Sequence, residues 1–524
     1  MIERIKEWWA VIKPAPGSLK GSAIAAAPRT AASVPDGMAA AALVGVNPIH
    51  GLYASALGPI VGGLTASTKL MVITTTSAAS LAAFSALQSV PAGDRLSSLF
   101  LMTMLAGALM LLAGFIGLGR FTAFVSHSVM TGFLTGVAVS IFLGQIPDLL
   151  GADVEASTSV GKSLETVFNP GLIDFPSLVI GASALALLLI LPVTKLGKYS
   201  ALIALIVPSL FAGLLGFFDS VLLVEDAGEI VRGLPTPVLP RIGQISFDLA
   251  AGAFAVAAIV LVQGAGVAQS YPNPDRSRSD QNSDFMSQGW ANVASGLFRG
   301  IPVGGSVSQT ALNVSVGARG RWASVISGLW MLLVLVLLSG LAGRVAIPTL
   351  AAILIVASTG AIRPKEISAV WRSGAQSQIA MVTTFGATLF LPVSAAVGIG
   401  VALSLLLSVN REAQDVKIVS LTEGEDGSLV EGPVPNSLES NSVTVLNIYG
   451  SLFYAGARTF QHELPRVGLA EKPVVIIRMR GRTVMGATAF SVLSSYAGEL
   501  DRQGGRLYLS GVDHNLLSQF EESG

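Results

Sequence analysis

The sequence predicts an α-helical polytopic membrane protein with 14 membrane elements in two halves of seven, followed by a small cytoplasmic α/β domain. Three observations predict it. The 524-residue chain is 52% hydrophobic and 12% charged, with mean hydropathy +0.67, whereas water-soluble domains carry about 25% charged residues. Its apolar residues are gathered into long uncharged runs that stop near Asn410. Two of those runs are polar and interrupted, and they stand third and tenth, in corresponding places of two halves of seven. Matched interruptions of this kind point to the binding site of a transporter.

The expected elements lie near Ser22–Leu43, His50–Leu64, Leu70–Gln88, Leu99–Leu118, Val125–Leu143, Leu178–Leu191 and Leu202–Phe218, and then near Ala250–Val267, Phe285–Phe298, Ser306–Val316, Ala323–Leu341, Ile347–Ala361, Ala380–Phe390 and Val393–Leu407. This gives a transport domain over 1–410, with elements one to seven at about 18–218 and eight to fourteen at about 250–410. Residues 411–441, including Thr422-Glu423-Gly424-Glu425-Asp426-Gly427 and Gly432-Pro433-Val434-Pro435, read as a polar linker. Residues 442–524 read as the soluble domain, with strands at Val443–Ile448, Val474–Met479 and Leu507–Leu509 and helices near Arg458–Pro465, Ala487–Arg502 and His514–Glu522.

Ahead of the first span, Met1–Ala10 reads as an amphipathic helix on the membrane surface, with Trp8 and Trp9 at the interface. With the N-terminus inside, the inner connections hold Lys69, Arg120, Lys195, Lys198, Arg276, Arg278, Arg319, Arg321, Arg363, Lys365 and Arg372, and the outer ones are mixed with acids. The positive-inside rule then puts both termini in the cytoplasm of a multi-pass protein of the cell (inner or plasma) membrane.

Zero cysteines exclude disulfide and thiolate chemistry. Lys+Arg 32 against Asp+Glu 32 gives no basic excess for nucleic acid, and four scattered histidines suggest no metal site. There is no nucleophile–base pair, no phosphate-cradling Gly-Lys motif and no catalytic carboxylate pair, so an enzyme is not expected.

The stretch from Ile301 to Gly320 organises the rest. Pro302 and Gly304-Gly305 break the backbone, so only Ser306 to about Val316 can be helical, too short to cross a bilayer. A broken helix at membrane depth must face protein or a wet cavity, and its free N-terminus attracts an anion. The third element offers Thr74, Thr75 and Thr76, and the tenth offers Ser306, Ser308 and Thr310. Two short helices aimed at each other there would form a positive, hydroxyl-lined gap. The bland alternative is that small hydroxyl residues only let helices pack closely.

In the first span, Ser33-Val34-Pro35-Asp36-Gly37-Met38 places a carboxylate inside an Ala-rich run. A charged Asp at mid-span costs about 2.5–3.5 kcal/mol on insertion scales, which makes Asp36 a candidate proton carrier. Alternatively Arg29, seven positions earlier on the same face, snorkels to the inner interface and Asp36 pairs with it or caps a break. In the eighth span Gln263 is an amide in an apolar run, able to bond the solute or to satisfy exposed backbone, and Gln309 is a second uncharged polar group beside the gap.

At these residues the chain resembles the sulfate permease family of anion transporters. The likeness rests on Pro35-Asp36-Gly37-Met38-Ala39, on Gly45-Val46-Asn47-Pro48-Ile49-His50-Gly51-Leu52-Tyr53-Ala54-Ser55, on Ser126 to Phe133 with Gln145 following, on Asp280 through Gly289 to Asn292, and on Ile347 to Leu354. The C-terminal domain resembles the family's sulfate-transporter/anti-sigma-factor-antagonist (STAS) domain through Gly450-Ser451-Leu452-Phe453-Tyr454-Ala455. The resemblance implies the inverted repeat, a core rocking against a gate, and substrate contacts at Asp36, Ala40, Thr76, Gln263, Ser306, Ser308 and Gln309; Thr74, Thr75 and Gly305 join them as candidate site residues from the two interrupted segments themselves. Many members carry Arg where Gln309 stands, an acid where Gln263 stands and Gln where Asp36 stands. These departures favour proton-coupled symport through Asp36 over plain anion exchange.

The expected function is secondary active transport of a small anion: a sulfate-like inorganic anion, bicarbonate, or a dicarboxylate such as fumarate. The alternatives are an anion-binding, channel-like or voltage-responsive protein without net coupled transport, and a nucleobase permease of the same architecture. The expected partners are that anion, the lipid bilayer and a second copy in a homodimer, with no nucleic acid. No cofactor is expected, and the coupling ion is a proton or else sodium.

Overall fold

The computed structural model describes residues 13–523 except 15–17, 120–125, 155, 157, 218–219, 227–233, 392, 415, 425–427 and 483–484. The expected surface helix at Met1–Ala10 lies outside the described residues. The chain divides into two compact units, Met1–Ala402 and Leu403–Gly524.

The first half of the membrane unit consists of α1 (Ser18–Val44), α2 (Ile49–Thr65), β1 (Ile73–Thr75), α3 (Ser77–Leu87), α4 (Arg95–Phe115), α5 (His127–Gly144), α6 (Ile146–Leu150), α7 (Ser159–Phe168), α8 (Phe175–Ile190) and α9 (Ser200–Leu214). The second half consists of α10 (Phe247–Ser270), α11 (Gln281–Leu297), β2 (Val303–Gly305), α12 (Val307–Ser315), α13 (Trp322–Ala342), α14 (Ile347–Ala361), α15 (Pro364–Arg372), α16 (Ala375–Phe390) and α17 (Val393–Gln414). Every expected element carries a helix. Three further helices, α6, α7 and α15, stand in stretches read as connections. They were missed because they are short, and α7 and α15 mix charged with apolar residues.

The third element departs from expectation. It does not start as helix at Leu70; Thr74 and Thr75 are extended in β1, and the helix begins at Ser77. Strand β1 pairs antiparallel with β2, with Ile73 opposite Gly305, Thr74 opposite Gly304 and Thr75 opposite Val303. Three successive hydroxyl residues favour the strand because β-branched side chains fit extended backbone, and the ladder satisfies backbone that lipid could not.

Close helix packing holds this ribbon in place. A methyl group on Gly51 would lie 1.8 Å from the carbonyl oxygen of Gly37, so α1 and α2 cross at these two glycines. Similarly, Cβ atoms on Gly58 and Gly62 would meet Ile73 at 2.8 and 2.7 Å, which seats β1 against α2. The buried core around the ribbon is rich in small side chains, including Ala39, Ala41, Ala54, Ala79 and Ala83, as membrane helices require for close approach.

The second unit is an α/β domain: β3 (Lys417–Glu423), β4 (Leu429–Gly432), β5 (Val443–Tyr449), α18 (Tyr454–Glu463), β6 (Val474–Arg478), α19 (Ala487–Arg502), β7 (Arg506–Ser510) and α20 (His514–Ser523). Its sheet order is β4-β3-β5-β6-β7, with β5, β6 and β7 parallel and β3 antiparallel to both neighbours. Leu446, Val475, Ile477, Phe460, Leu493 and Leu500 form its core. The stretch 411–441 is therefore not a linker. Its Ile418, Val419 and Leu421 are buried and build β3, and the polar run at Thr422–Gly424 leads into the β3–β4 hairpin, where the Gly424 N–H donates to the Ser428 carbonyl at 2.7 Å.

Candidate functional site

Helices α3 and α12 start from opposite ends of the same two-stranded ribbon, so the ladder fixes their N-termini relative to each other. Each start is capped by a hydroxyl. Thr76 Oγ1 accepts from the Ala79 N–H at 3.3 Å, and Ser306 Oγ accepts from the Gln309 N–H at 3.3 Å. The first-turn amides beyond these caps have no intrahelical acceptor, and both helix ends carry partial positive charge.

Helix α1 passes beside α12 and supplies the acid. Gln309 Nε2 donates to the Asp36 carboxylate, while Gln309 Oε1 accepts from Ser33 Oγ at 3.2 Å. Ser33 and Asp36 lie three residues apart, on one face of α1, so a single amide reads both. Gln309 is buried, Asp36 half-buried and Ser308 exposed, and Ser308 Oγ lies 3.3 Å from Ser306 Oγ.

Asp36, Ser306, Ser308 and Gln309 are thus brought together. Thr76 sits across the ribbon at the other cap, and Gly305 closes β2, where a Cβ would meet Gly264 Cα of α10 at 2.9 Å. Gln263 therefore stands next to the backbone that crosses β2, and its Oε1 is buried without a hydrogen-bond partner. Thr74 Oγ1 is likewise buried and unpartnered. Thr75 points elsewhere, with its hydroxyl 3.5 Å from Ser55 Oγ on α2. Ala40 is 3% exposed, one turn along α1 from Asp36.

Arg29 does not snorkel. It is fully buried, and Nη2 donates to the Ser324 carbonyl of α13 at 3.3 Å. Among the described residues it forms no ion pair with Asp36.

The scaffold residues that sequence reasoning missed lie on α11. Asp284, Gln288 and Asn292, spaced by four, make one polar stripe in a membrane helix. Asp284 accepts from the Ser67 and Thr68 N–H groups at 2.8 and 3.0 Å and from Thr68 Oγ1 at 2.5 Å. Gln288 Oε1 accepts from the Gly305 N–H at 3.0 Å. Asn292 accepts from the Val303 N–H at 3.0 Å and donates to its carbonyl at 2.7 Å, as a neighbouring strand would. From α12, Thr310 Oγ1 accepts from the Val72 N–H at 3.1 Å and Asn313 Nδ2 donates to the Leu70 carbonyl at 3.1 Å. The four-residue spacing on α11 was the signal available in the sequence.

Residues 19–384 match the sulfate permease family, and residues 435–524 match the STAS domain. A putative sulfate transporter of Bacillus subtilis, YvdB, is 26% identical over 500 residues, which cover 94% of this chain and 91% of that protein. The probable sulfate transporter 4.2 of Arabidopsis thaliana is 25% identical, covering 94% of this chain and 76% of its own. Among solved structures, the murine Slc26a9 anion transporter in its inward-facing state superposes with a TM-score of 0.85 at 18% identity, covering 98% of this chain and 89% of that one. The transmembrane domain of the cyanobacterial bicarbonate transporter BicA superposes with a TM-score of 0.63 at 20% identity, covering 75% and 99%.

Proposed function

The chain belongs to the sulfate permease family, and on that premise we propose that it is a proton-coupled secondary active carrier of small anions that binds its substrate between the N-termini of α3 and α12. The substrate class is a sulfate-like inorganic anion, bicarbonate or a dicarboxylate such as fumarate. The single observation that supports this reading is the hydrogen bond from Gln309 to Asp36, at the start of a helix that the β1–β2 ribbon ties to α3.

The coupling follows from charge. With Asp36 ionised, its negative charge offsets the two helix ends and repels an entering anion. Two unit charges about 6 Å apart at an effective dielectric constant of ~20 repel by about 3 kcal/mol, a factor of roughly a hundred in affinity. Protonation of Asp36 removes that repulsion, so proton and anion bind together, as symport requires. Gln309 serves both states: Nε2 donates to the carboxylate, and Oε1 can accept from its acid form after an amide turn. A glutamine, unlike a fixed cation, leaves the charge of the gap under the control of Asp36.

Alternating access would move the α1–α3–α12 core past the gate as an elevator or rocking body. The carrier needs no cofactor, and sodium is the competing coupling ion. It would work as a homodimer in the cell membrane with both termini in the cytoplasm, and without catalysis. Proteoliposomes should accumulate labelled sulfate, bicarbonate or fumarate when the outside is acidified, and not when an equal sodium gradient replaces the proton gradient. Accumulation indifferent to the proton gradient would refute the coupling.

A further inference from the structure

Two arginines and a histidine lie together apart from Asp36 and Gln309, where α1 ends and α2 begins. Arg241, Arg299 and His50 line a cavity of ≈280 Å³ there. Its apolar wall includes Leu96, Phe100 and Met104 of α4. Among the described residues, no carboxylate belongs to the lining. Asp94, next to it in sequence, is engaged by Gln244, whose Nε2 donates to Asp94 Oδ1 at 2.9 Å.

The fold holds both guanidinium-bearing segments in place. The segment carrying Arg241 is fastened on each side: the Val238 N–H donates to the Leu297 carbonyl of α11 at 2.7 Å, and Gln244 reaches Asp94. Arg299 follows the end of α11 with φ +61°, a left-handed conformation that favours glycine. Its carbonyl accepts from His50 Nδ1 at 2.7 Å, and its Nε is buried with no hydrogen-bond partner. An arginine in a left-handed conformation, with a buried donor left unpaired, leaves its guanidinium available to a group from outside the local fold.

We propose that this cavity is a second anion site, specific for small organic carboxylates: the carboxylate is met by Arg241 and Arg299, and the hydrocarbon body lies on Leu96, Phe100 and Met104. Inorganic anions gain nothing from that apolar wall, so the site distinguishes a dicarboxylate from sulfate. It is independent of the gap and stands whether or not the proposed coupling does.

The test uses the full-length protein in detergent free of anionic lipid, titrated calorimetrically with succinate and with sulfate. Ser308→Phe plugs the gap, so succinate binding that remains reports the second site. Arg299→Gly removes the guanidinium while suiting the backbone, and Arg241→Gln changes an exposed loop residue; unchanged thermal unfolding confirms that each variant is folded. The expected result is succinate binding in Ser308→Phe that weakens at least tenfold when either arginine substitution is added, with sulfate binding more weakly than succinate. The proposal is overturned if folded Ser308→Phe binds no succinate, if neither arginine substitution changes its affinity by more than twofold, or if sulfate binds as tightly as succinate.

Discussion

Gln309 of α12 bridges two residues of α1, donating to Asp36 and accepting from Ser33. The relationship ties Asp36 to the first turn of the helix that Ser306 caps. On the proposed reading, protonation at Asp36 would be felt at the start of α12 through an uncharged amide.

Asp36→Asn should separate coupling from binding. The asparagine oxygen still accepts from Gln309 Nε2, so the helix contact survives while the titratable proton is lost. Proton-driven accumulation in proteoliposomes should fall at least tenfold, and counterflow under equal pH should stay within about threefold of the wild type. Normal accumulation by the variant would show that Asp36 does not carry the proton.

Outside the membrane, the loop after α2 offers a pH-dependent tie. Lys69 donates to Asp275 and, with Ser277, holds that carboxyl down to about 2. A carboxyl depressed in the folded state stabilises above its unfolded value and loses that contribution as pH falls from about 4 towards 2. The pair is partly exposed, 28% at Lys69 and 53% at Asp275, so its effect is small and screened by salt. Lys69→Met should therefore lower thermal stability slightly at pH 6 and low salt, with the difference from wild type shrinking below about pH 4 and vanishing only below pH 2. The loop keeps its course in the variant because the Lys69 N–H is held separately by Asn273 Oδ1 at 2.7 Å. A difference that persists undiminished well below pH 2 would assign the loss to packing instead.

Much of the membrane fold was legible because lipid imposes one rule, long apolar helices, and because the chain breaks that rule at two matched places. What the sequence did not reveal was the strand. Thr74 and Thr75 read as helical hydroxyls since nothing local signals a partner more than two hundred residues away at Val303 and Gly304. The same distance hid the contact of Thr75 with Ser55. The stretch 411–441 misled for another reason. The polar hairpin tip at Thr422–Gly424 outweighed the short apolar run Ile418-Val419 and Leu421, whose burial depends on pairing with β5. Asp36 and Gln309 were visible singly as polar groups in apolar surroundings, but their bond was not, since it joins the two halves of the membrane unit.

Asn292 replaces a missing third strand, so its loss should loosen β2 while leaving every gap residue chemically intact. Asn292→Ala leaves the Val303 N–H and carbonyl without their side-chain partner, and each buried polar group so stranded costs about 1–3 kcal/mol. Thermal unfolding should drop by several degrees, and affinity for the transported anion should fall as the α12 start loses its register. Asn292→Asp should be about as damaging, because an ionised carboxylate can accept from the Val303 N–H but cannot donate to its carbonyl. Full stability and affinity in both variants would mean that β1 alone holds β2.

Gly51→Ala tests whether the α1–α2 crossing positions Asp36. The added methyl would sit 1.8 Å from the Gly37 carbonyl oxygen and 3.1 Å from Ala41 Cβ, and a backbone oxygen cannot step aside without moving its helix. Gly37 directly follows Asp36, so displacing α1 pulls the carboxylate away from Gln309. Overpacking of this kind costs about 3 kcal/mol or more, and the variant should lose both monodispersity on heating and anion binding. Gly266→Ala on α10 is the matched control, since no atom lies within 4 Å of the Cβ it adds. There the smaller backbone entropy of alanine should leave stability unchanged or raise it by about 0.5–1 kcal/mol. If Gly51→Ala folds and transports like that control, the crossing is looser than the packing of Gly37 on Gly51 implies, and Asp36 is positioned by α12 instead.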